Sequence, residues 1–134
     1  MHFIERTPTR AEYERLCRAV GWDHLVDFDL AEKALGASLF AIVAELDGEI
    51  VATARVVGDG VTSFYVQDVI VLPHLQGQGV GAQVMDRVFA WIKANAPPRA
   101  MMRLFTAERA EPFYRRLGFD TPIKGLSLPV DKLP

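Results

Sequence analysis

The stretch of this chain richest in chemistry is Gln67-Asp68-Val69-Ile70-Val71-Leu72-Pro73-His74-Leu75-Gln76-Gly77-Gln78-Gly79-Val80-Gly81-Ala82. An apolar run gives way to three alternating glycines, and a helical apolar period begins at Val80. Glycines keep side chains out of the way, so several backbone N–H groups and the positive end of a helix dipole converge. Such a site suits an anion, most naturally a pyrophosphate. A Walker loop is excluded, because Gly81 is followed by Ala82-Gln83 where the phosphate lysine and magnesium hydroxyl would stand. Gly77-Gln78-Gly79-Val80-Gly81-Ala82 does match the dinucleotide pattern G-x-G-x-x-G/A. However, about 20 residues on, where an acid for the ribose belongs, the chain has Ala96-Pro97-Pro98. The loop also lies past the middle of the chain behind an antiparallel hairpin, which leaves no space for a doubly wound nucleotide domain.

The elements that must position this loop are readable on either side of it. Thr9-Arg10-Ala11-Glu12 is a capping-box pattern, followed by Tyr13, Leu16, Cys17 and Val20 at helical spacing and closed by Gly21. Asp29 and Glu32 announce a shorter helix with Leu30, Ala34 and Leu35 on its apolar side and Gly36 at its end. Two strand-like runs, Leu39 to Leu46 and Glu49 to Val57, flank Asp47-Gly48, a hairpin dipeptide, so they pair antiparallel. A third run, Ser63 to Leu72, extends the meander after Gly58-Asp59-Gly60. The period then changes: Val80, Val84, Val88 and Ile92, with Met85, Phe89 and Trp91, predict a helix from near Gly79 to just before Pro97. Ala100 to Phe105 reads as a strand that returns parallel to the one before the loop. A helix around Pro112 to Leu117, ended by Gly118, and a final strand near Leu126 to Val130 complete the order. The expected fold class is α/β, one domain spanning residues 1–134.

With 134 residues and 50% hydrophobic content, the chain has enough apolar surface for one core. The net charge of −2 argues against a nucleic-acid partner. Residues 1–96 carry 8 basic and 13 acidic groups (net −5), and residues 97–134 carry 7 and 4 (net +3). One cysteine, Cys17, permits neither an internal disulfide nor a cysteine-based zinc cluster, so no metal is expected and a cytoplasmic setting is. Charges interrupt every apolar run short of the roughly 20 residues a membrane span needs, and no membrane partner is expected.

The run Val69 to Gly81 resembles the acetyl-CoA loop of the GNAT superfamily of N-acetyltransferases, whose core motif Q/R-x-x-G-x-G/A is filled by Gln76, Gly79 and Gly81. Pro112-Phe113-Tyr114-Arg115-Arg116-Leu117-Gly118-Phe119 is similar to the family's other signature, a helix carrying Phe-Tyr and ending in Gly-Phe. The resemblance implies a single GNAT-like domain with a mixed, largely antiparallel sheet, a splayed parallel strand pair and flanking helices. It implies that Val69, Ile70 and Val71 pair with the pantetheine arm of acetyl-CoA. Gln76, Gly77, Gln78, Gly79, Val80, Gly81 and Ala82 would then hold the pyrophosphate, with Arg109, Arg115 or Arg116 near the outer phosphate. The implied reaction is direct attack of a small-molecule primary amine in a ternary complex, with the Val69 N–H facing the oxyanion and Tyr114 protonating the thiolate. A phenol of pKa about 10 beside a thiol of about 8.5 can do so without a large energy mismatch.

No family base carries over, since Met101-Met102-Arg103 and Tyr65-Val66-Gln67 stand where relatives place Glu or His. Thr106-Ala107-Glu108 likewise departs from an Asn that many relatives use on the cofactor. Strict alternation sets Asp68 on the face opposite Gln67 and Val69, and His74 is expected to face solvent. The acceptor wall is expected in Gly21 to Asp29, where Trp22, Asp27 and Phe28, joined by Gln67, mix aromatic, acidic and polar groups suited to a cationic amine. A capped turn anchored by Trp22 is the competing reading of that segment. A non-catalytic CoA-binding sensory module, or an N-acetyltransferase acting on proteins or peptides, are the rival functions, and a homodimer is an allowed assembly.

Overall fold

In the computed structural model, which describes residues 1–134, five strands form one sheet in the order β1-β2-β3-β4-β5: His2–Ile4, Phe40–Leu46, Glu49–Gly58, Ser63–Val71 and Met101–Arg103. The first three pairings are antiparallel and β4 pairs with β5 in parallel. The Asp47-Gly48 turn closes the β2–β3 hairpin as its sequence predicts, with φ of 51° and 79° at the two loop residues. β1, three residues long, is too short for its periodicity to be read.

Phe40 to Ala44 of β2 and Ile50 to Ala54 of β3 are buried without interruption, so both faces of the central sheet are covered. On one face lies α3, Val80–Asn95, whose Val80, Val84, Met85 and Val88 are buried against β2, β3 and β4. Its Trp91 stacks on Phe40 at 5.2 Å and meets Phe64 edge-on at 6.0 Å. Arg55 and Val56 are adjacent on β3 and point to opposite faces. Arg55 Nη1 donates to the Ala34 carbonyl of α2, Ala31–Gly36, at 3.2 Å, so α2 lies on the second face. α1, Arg10–Ala19, packs on β3 and β4 and buries Tyr13, Leu16 and Cys17. Its capping box is present: the Thr9 hydroxyl accepts from the Glu12 N–H at 3.2 Å, and the Glu12 carboxylate accepts from the Thr9 N–H at 2.7 Å.

Chain contacts divide the protein into two compact units, residues 1–103 and 104–134. The second unit holds a 3₁₀ turn, Glu108–Ala110, and α4, Glu111–Arg116, which ends where Gly118 takes a φ of 105°. The expected final strand near Leu126 to Val130 is absent. Residues 122–129 have no regular structure, and Val130–Lys132 is a 3₁₀ turn. Alternation of Leu126, Leu128 and Val130 supplies faces, but a strand also needs a ladder, and Pro122 and Pro129 each remove a donor.

β4 contains a bulge that sequence alternation does not anticipate. Thr53 opposes Ile70 and Arg55 opposes Gln67, so Asp68 and Val69 together face only Ala54. Cross-strand partners share a face, and Thr53 and Val56 lie on opposite faces. Ile70 is therefore on the opposite side from Val66, although the two are four residues apart. The expectation for Asp68 is corrected accordingly: its carboxylate bonds Arg55, which shares a face with Gln67.

Gly58 tests the turn that feeds β4. Its φ of 144° is rarely open to a side chain, and a Cβ there would overlap the Ser63 carbonyl oxygen. Gly58→Ala should lower the unfolding free energy by about 2 kcal/mol or more, measured by urea denaturation of both proteins.

Candidate active site

β5 pairs with β4 only at Ser63, Phe64 and Tyr65. Val66 to Val71 continue past it without a β5 partner, as a splayed pair requires. The strand then enters a 3₁₀ turn, Pro73–Leu75, and the glycine loop. Two glutamines hold that loop. Gln76 Nε2 donates to the Val71 carbonyl at 3.0 Å, and Gln78 Nε2 donates to the His74 carbonyl at 2.9 Å. His74 itself is exposed.

Gly79 is the N-cap of α3 at a φ of 84°, and the first helical bond runs from the Gln83 N–H to the Gly79 carbonyl at 3.1 Å. The N–H groups of Val80, Gly81 and Ala82 precede that bond and have no helical acceptor. They sit at the positive end of a 16-residue helix. Nothing lies within 4 Å of a Cβ built at Gly77 or Gly79, so the backbone is open to approach. The Gln76 N–H, in contrast, already donates to the Pro73 carbonyl at 3.2 Å. The donors offered to an anion therefore begin after Gln76, whose side chain shapes the loop.

On the other side of β4, the segment between α1 and α2 forms two 3₁₀ turns, Asp23–Leu25 and Phe28–Leu30. Each acid there has a local partner. Asp23 pairs with Arg18 at 3.5 Å, Asp27 Oδ1 accepts from the Asp29 N–H at 3.0 Å, and Asp29 pairs with Arg10 at 2.9 Å. Asp27 remains exposed, while Trp22 and Phe28 are half-buried. Phe28 carries the Arg18 guanidinium 5.7 Å from its ring centre and meets Tyr13 edge-on at 6.2 Å. The Tyr13 hydroxyl donates to Asp68 Oδ2 at 2.9 Å, which joins this segment to the β4 bulge beside Gln67 and Val69.

Arg55 Nε donates to the same Asp68 oxygen at 2.7 Å, and both side chains are nearly buried. Burial, and then the Asp68 charge, push the Tyr13 phenol well above its ordinary pKa. Composition and motifs pass over Arg55 and Tyr13 as site residues. A signal was present, since Arg55 is the one basic residue in the β3 run and Asp68 the one charge in the β4 run. Two lone opposite charges on neighbouring strands are a cross-strand pair in waiting.

In the second unit, Tyr114 of α4 is buried, with Phe113 at 4.9 Å and Phe119 at 6.0 Å, both edge-on. Burial pushes its phenol up to about 12. Burial thus keeps this phenol protonated well past neutral pH. Arg115 is held by Glu111 at 2.7 Å. No group of three or more His, Cys, Asp or Glu side chains is placed to hold a metal ion, and no helix is long and apolar enough to cross a membrane.

Comparison with known proteins gives this geometry a family. The model described as Acetyltransferase (GNAT) domain matches residues 37–121, well over half of the chain. A rice (Oryza sativa subsp. japonica) protein, serotonin N-acetyltransferase 2, chloroplastic, is 42% identical over 72 residues, 54% of this chain and 35% of that protein. The match thus spans about a third of that relative's length. A GNAT-family acetyltransferase from Streptococcus pneumoniae has the same fold at a TM-score of 0.75 and 31% identity, over 94% of this chain and 97% of that one. A probable acetyltransferase of unknown function from methicillin-resistant Staphylococcus aureus superimposes with a TM-score of 0.85 at 26% identity, over 96% and 99% of the two chains. With its glycine loop, splayed β4–β5 pair and Phe-Tyr helix in the family's order, the chain belongs to the GNAT acetyltransferase superfamily.

Proposed function

We propose that residues 1–134 act as one N-acetyltransferase domain that moves the acetyl group of acetyl-CoA to the primary amine of a small molecule by direct attack. The observation that carries this reading is the run of β4 beyond β5 into a glycine loop whose free amides cap α3. Val69, Ile70 and Val71 offer backbone groups to the pantetheine arm. Gly77, Gln78, Gly79, Val80, Gly81 and Ala82 form the pyrophosphate cradle, which Gln76 shapes from behind.

An amine of pKa about 10.4 is neutral in only about one molecule in 2,500 at pH 7, so its proton must first be removed, at about 4.6 kcal/mol. Asp68 is a poor base because one of its oxygens already accepts from Arg55 and Tyr13. We assign the proton instead to a water relay held by Gln67 and backbone carbonyls. The neutral nitrogen attacks the thioester carbon, the oxyanion is met by the Val69 N–H, and the C–S bond breaks as the tetrahedral intermediate collapses, the second proton of the now cationic nitrogen leaving through the same water relay to give the neutral amide. Tyr114 gives its proton to the thiolate and regains one from the solvent. The transfer remains feasible despite the raised phenol, because the burial that disfavours phenolate also disfavours thiolate and lifts the thiol's pKa with it.

Trp22, Asp27, Phe28 and Gln67 are proposed to face the acceptor. The rice relative is named for serotonin, an arylalkylamine, which supports a cationic aromatic acceptor here. A cytoplasmic setting is proposed from the single cysteine, Cys17, which leaves no internal disulfide to form. Release of free CoA with a panel of amines separates this enzyme from a CoA-binding module without turnover. A peptide panel separates it from a protein-modifying enzyme.

Gly81→Val should weaken acetyl-CoA binding at least tenfold, about 1.4 kcal/mol, and calorimetry showing unchanged affinity in the folded variant would remove the loop from the site. Tyr114→Phe should lower kcat about 10²-fold with little change in acetyl-CoA affinity. A phenol keeps its proton below its pKa, so with Tyr114 at about 12 the wild-type kcat/KM profile should rise as the amine deprotonates and show no phenol-linked descent through about pH 10. Arylalkylamines or polyamine-like acceptors should exceed anionic amino acids and aminosugar phosphates in kcat/KM. Asparagine caps a turn as well as aspartate does, so Asp27→Asn removes charge alone, and undiminished kcat/KM for the best cationic amine would take Asp27 out of the acceptor wall.

A further inference from the structure

Asp68 stands within β4 at a φ of 55°, one of two non-glycine residues in the chain at positive φ. The other, Asp47, lies in a hairpin turn, where such angles are ordinary. In a strand the conformation persists only where surrounding contacts over-determine it. Here the contacts are specific. Arg55 Nε and the Tyr13 hydroxyl both donate to Asp68 Oδ2, at 2.7 and 2.9 Å, from β3 and from α1. Arg55 is fixed in turn by the Ala34 carbonyl at 3.2 Å and the Ser38 hydroxyl at 3.4 Å, and Tyr13 is buried.

The backbone consequence follows from peptide geometry. The Val69 N–H belongs to the planar unit that begins at Asp68, so its direction is set by the dihedrals of Asp68. We infer that Asp68, clamped between Arg55 and Tyr13, is a positioning residue that aims the Val69 N–H at the thioester carbonyl. The inference rests on the acetyltransferase reading and adds to it the side chains that hold the oxyanion donor in place. It also accounts for a nearly buried aspartate within the reacting strand.

The test is isotope-edited infrared difference spectroscopy of acetyl-CoA labelled with ¹³C at the acetyl carbonyl, bound to the full chain. A hydrogen bond to the carbonyl lowers its stretching frequency, so the wild type should show a downshift relative to free acetyl-CoA. Tyr13→Phe keeps the ring and removes one donor. Asp68→Asn removes the charge but suits positive φ, since asparagine tolerates the left-handed region. Both should lose at least half of the downshift and about tenfold in kcat, with acetyl-CoA affinity within twofold of wild type, at a temperature where circular dichroism shows each variant folded. A full downshift in folded Tyr13→Phe and Asp68→Asn overturns the inference alone, as does a fall in kcat matched by an equal fall in acetyl-CoA affinity. A wild type that binds no acetyl-CoA overturns the acetyltransferase reading beneath it.

Discussion

The interaction on which the rest of this structure depends is the carboxylate of Asp68 held between Arg55 and Tyr13. A non-glycine residue at positive φ inside a strand carries about 1–3 kcal/mol of strain. The charge-assisted bond to Arg55 and the phenol bond to Tyr13 oppose that strain in a nearly buried place, where they act at reduced screening. With the bulge in place, side-chain parity reverses between Val66 and Ile70, and the strand runs on past its parallel neighbour. Bulges bend and twist the strand that contains them. The splay and the side-chain clamp are thus adjacent features of one strand.

The anion site proposed downstream is built from neutral parts. No lysine stands in the loop, and the first 96 residues carry a net charge of −5, so long-range attraction contributes little there. The work falls to backbone amides and the dipole of α3, which act only within about the first turn. Short range makes placement decisive, which is why both glutamines of the loop are tied to carbonyls of the preceding turn and strand. Trp91 fixes the same helix further along, stacked on Phe40 and edge-on to Phe64; aromatic contacts of this kind add about 0.5–1.5 kcal/mol beyond the area they bury.

Burial and pairing also decide which ionisable groups remain available for chemistry. Tyr114, enclosed by Phe113 and Phe119, is held neutral across the whole physiological range. Tyr13 is held neutral more firmly still, by its burial first and then by the Asp68 carboxylate beside it. The acids at 23, 27 and 29 each have a cation or an amide nearby. This segment therefore works first as a capped pair of turns, and any pull on a cationic acceptor comes from charge left exposed after capping.

The sequence by itself determined what depends on near neighbours. The capping box at Thr9, the Asp47-Gly48 turn, the 3.6-residue period from Val80 and the glycines at 77, 79 and 81 act over a few residues, so local spacing specifies them. The family and the parallel return of β5 followed from those signals in order. Three features lay beyond local spacing. The bulge needs Arg55, Tyr13 and Asp68 from two strands and a helix to converge, and alternation alone sets the Asp68 carboxylate on the wrong face. The strand expected near Leu126 fails because a ladder requires a partner, which a period-2 pattern cannot provide. The pKa of Tyr114 depends on how much water reaches the hydroxyl, a property of the packed tertiary structure and not of the Phe-Tyr pair that marks the helix.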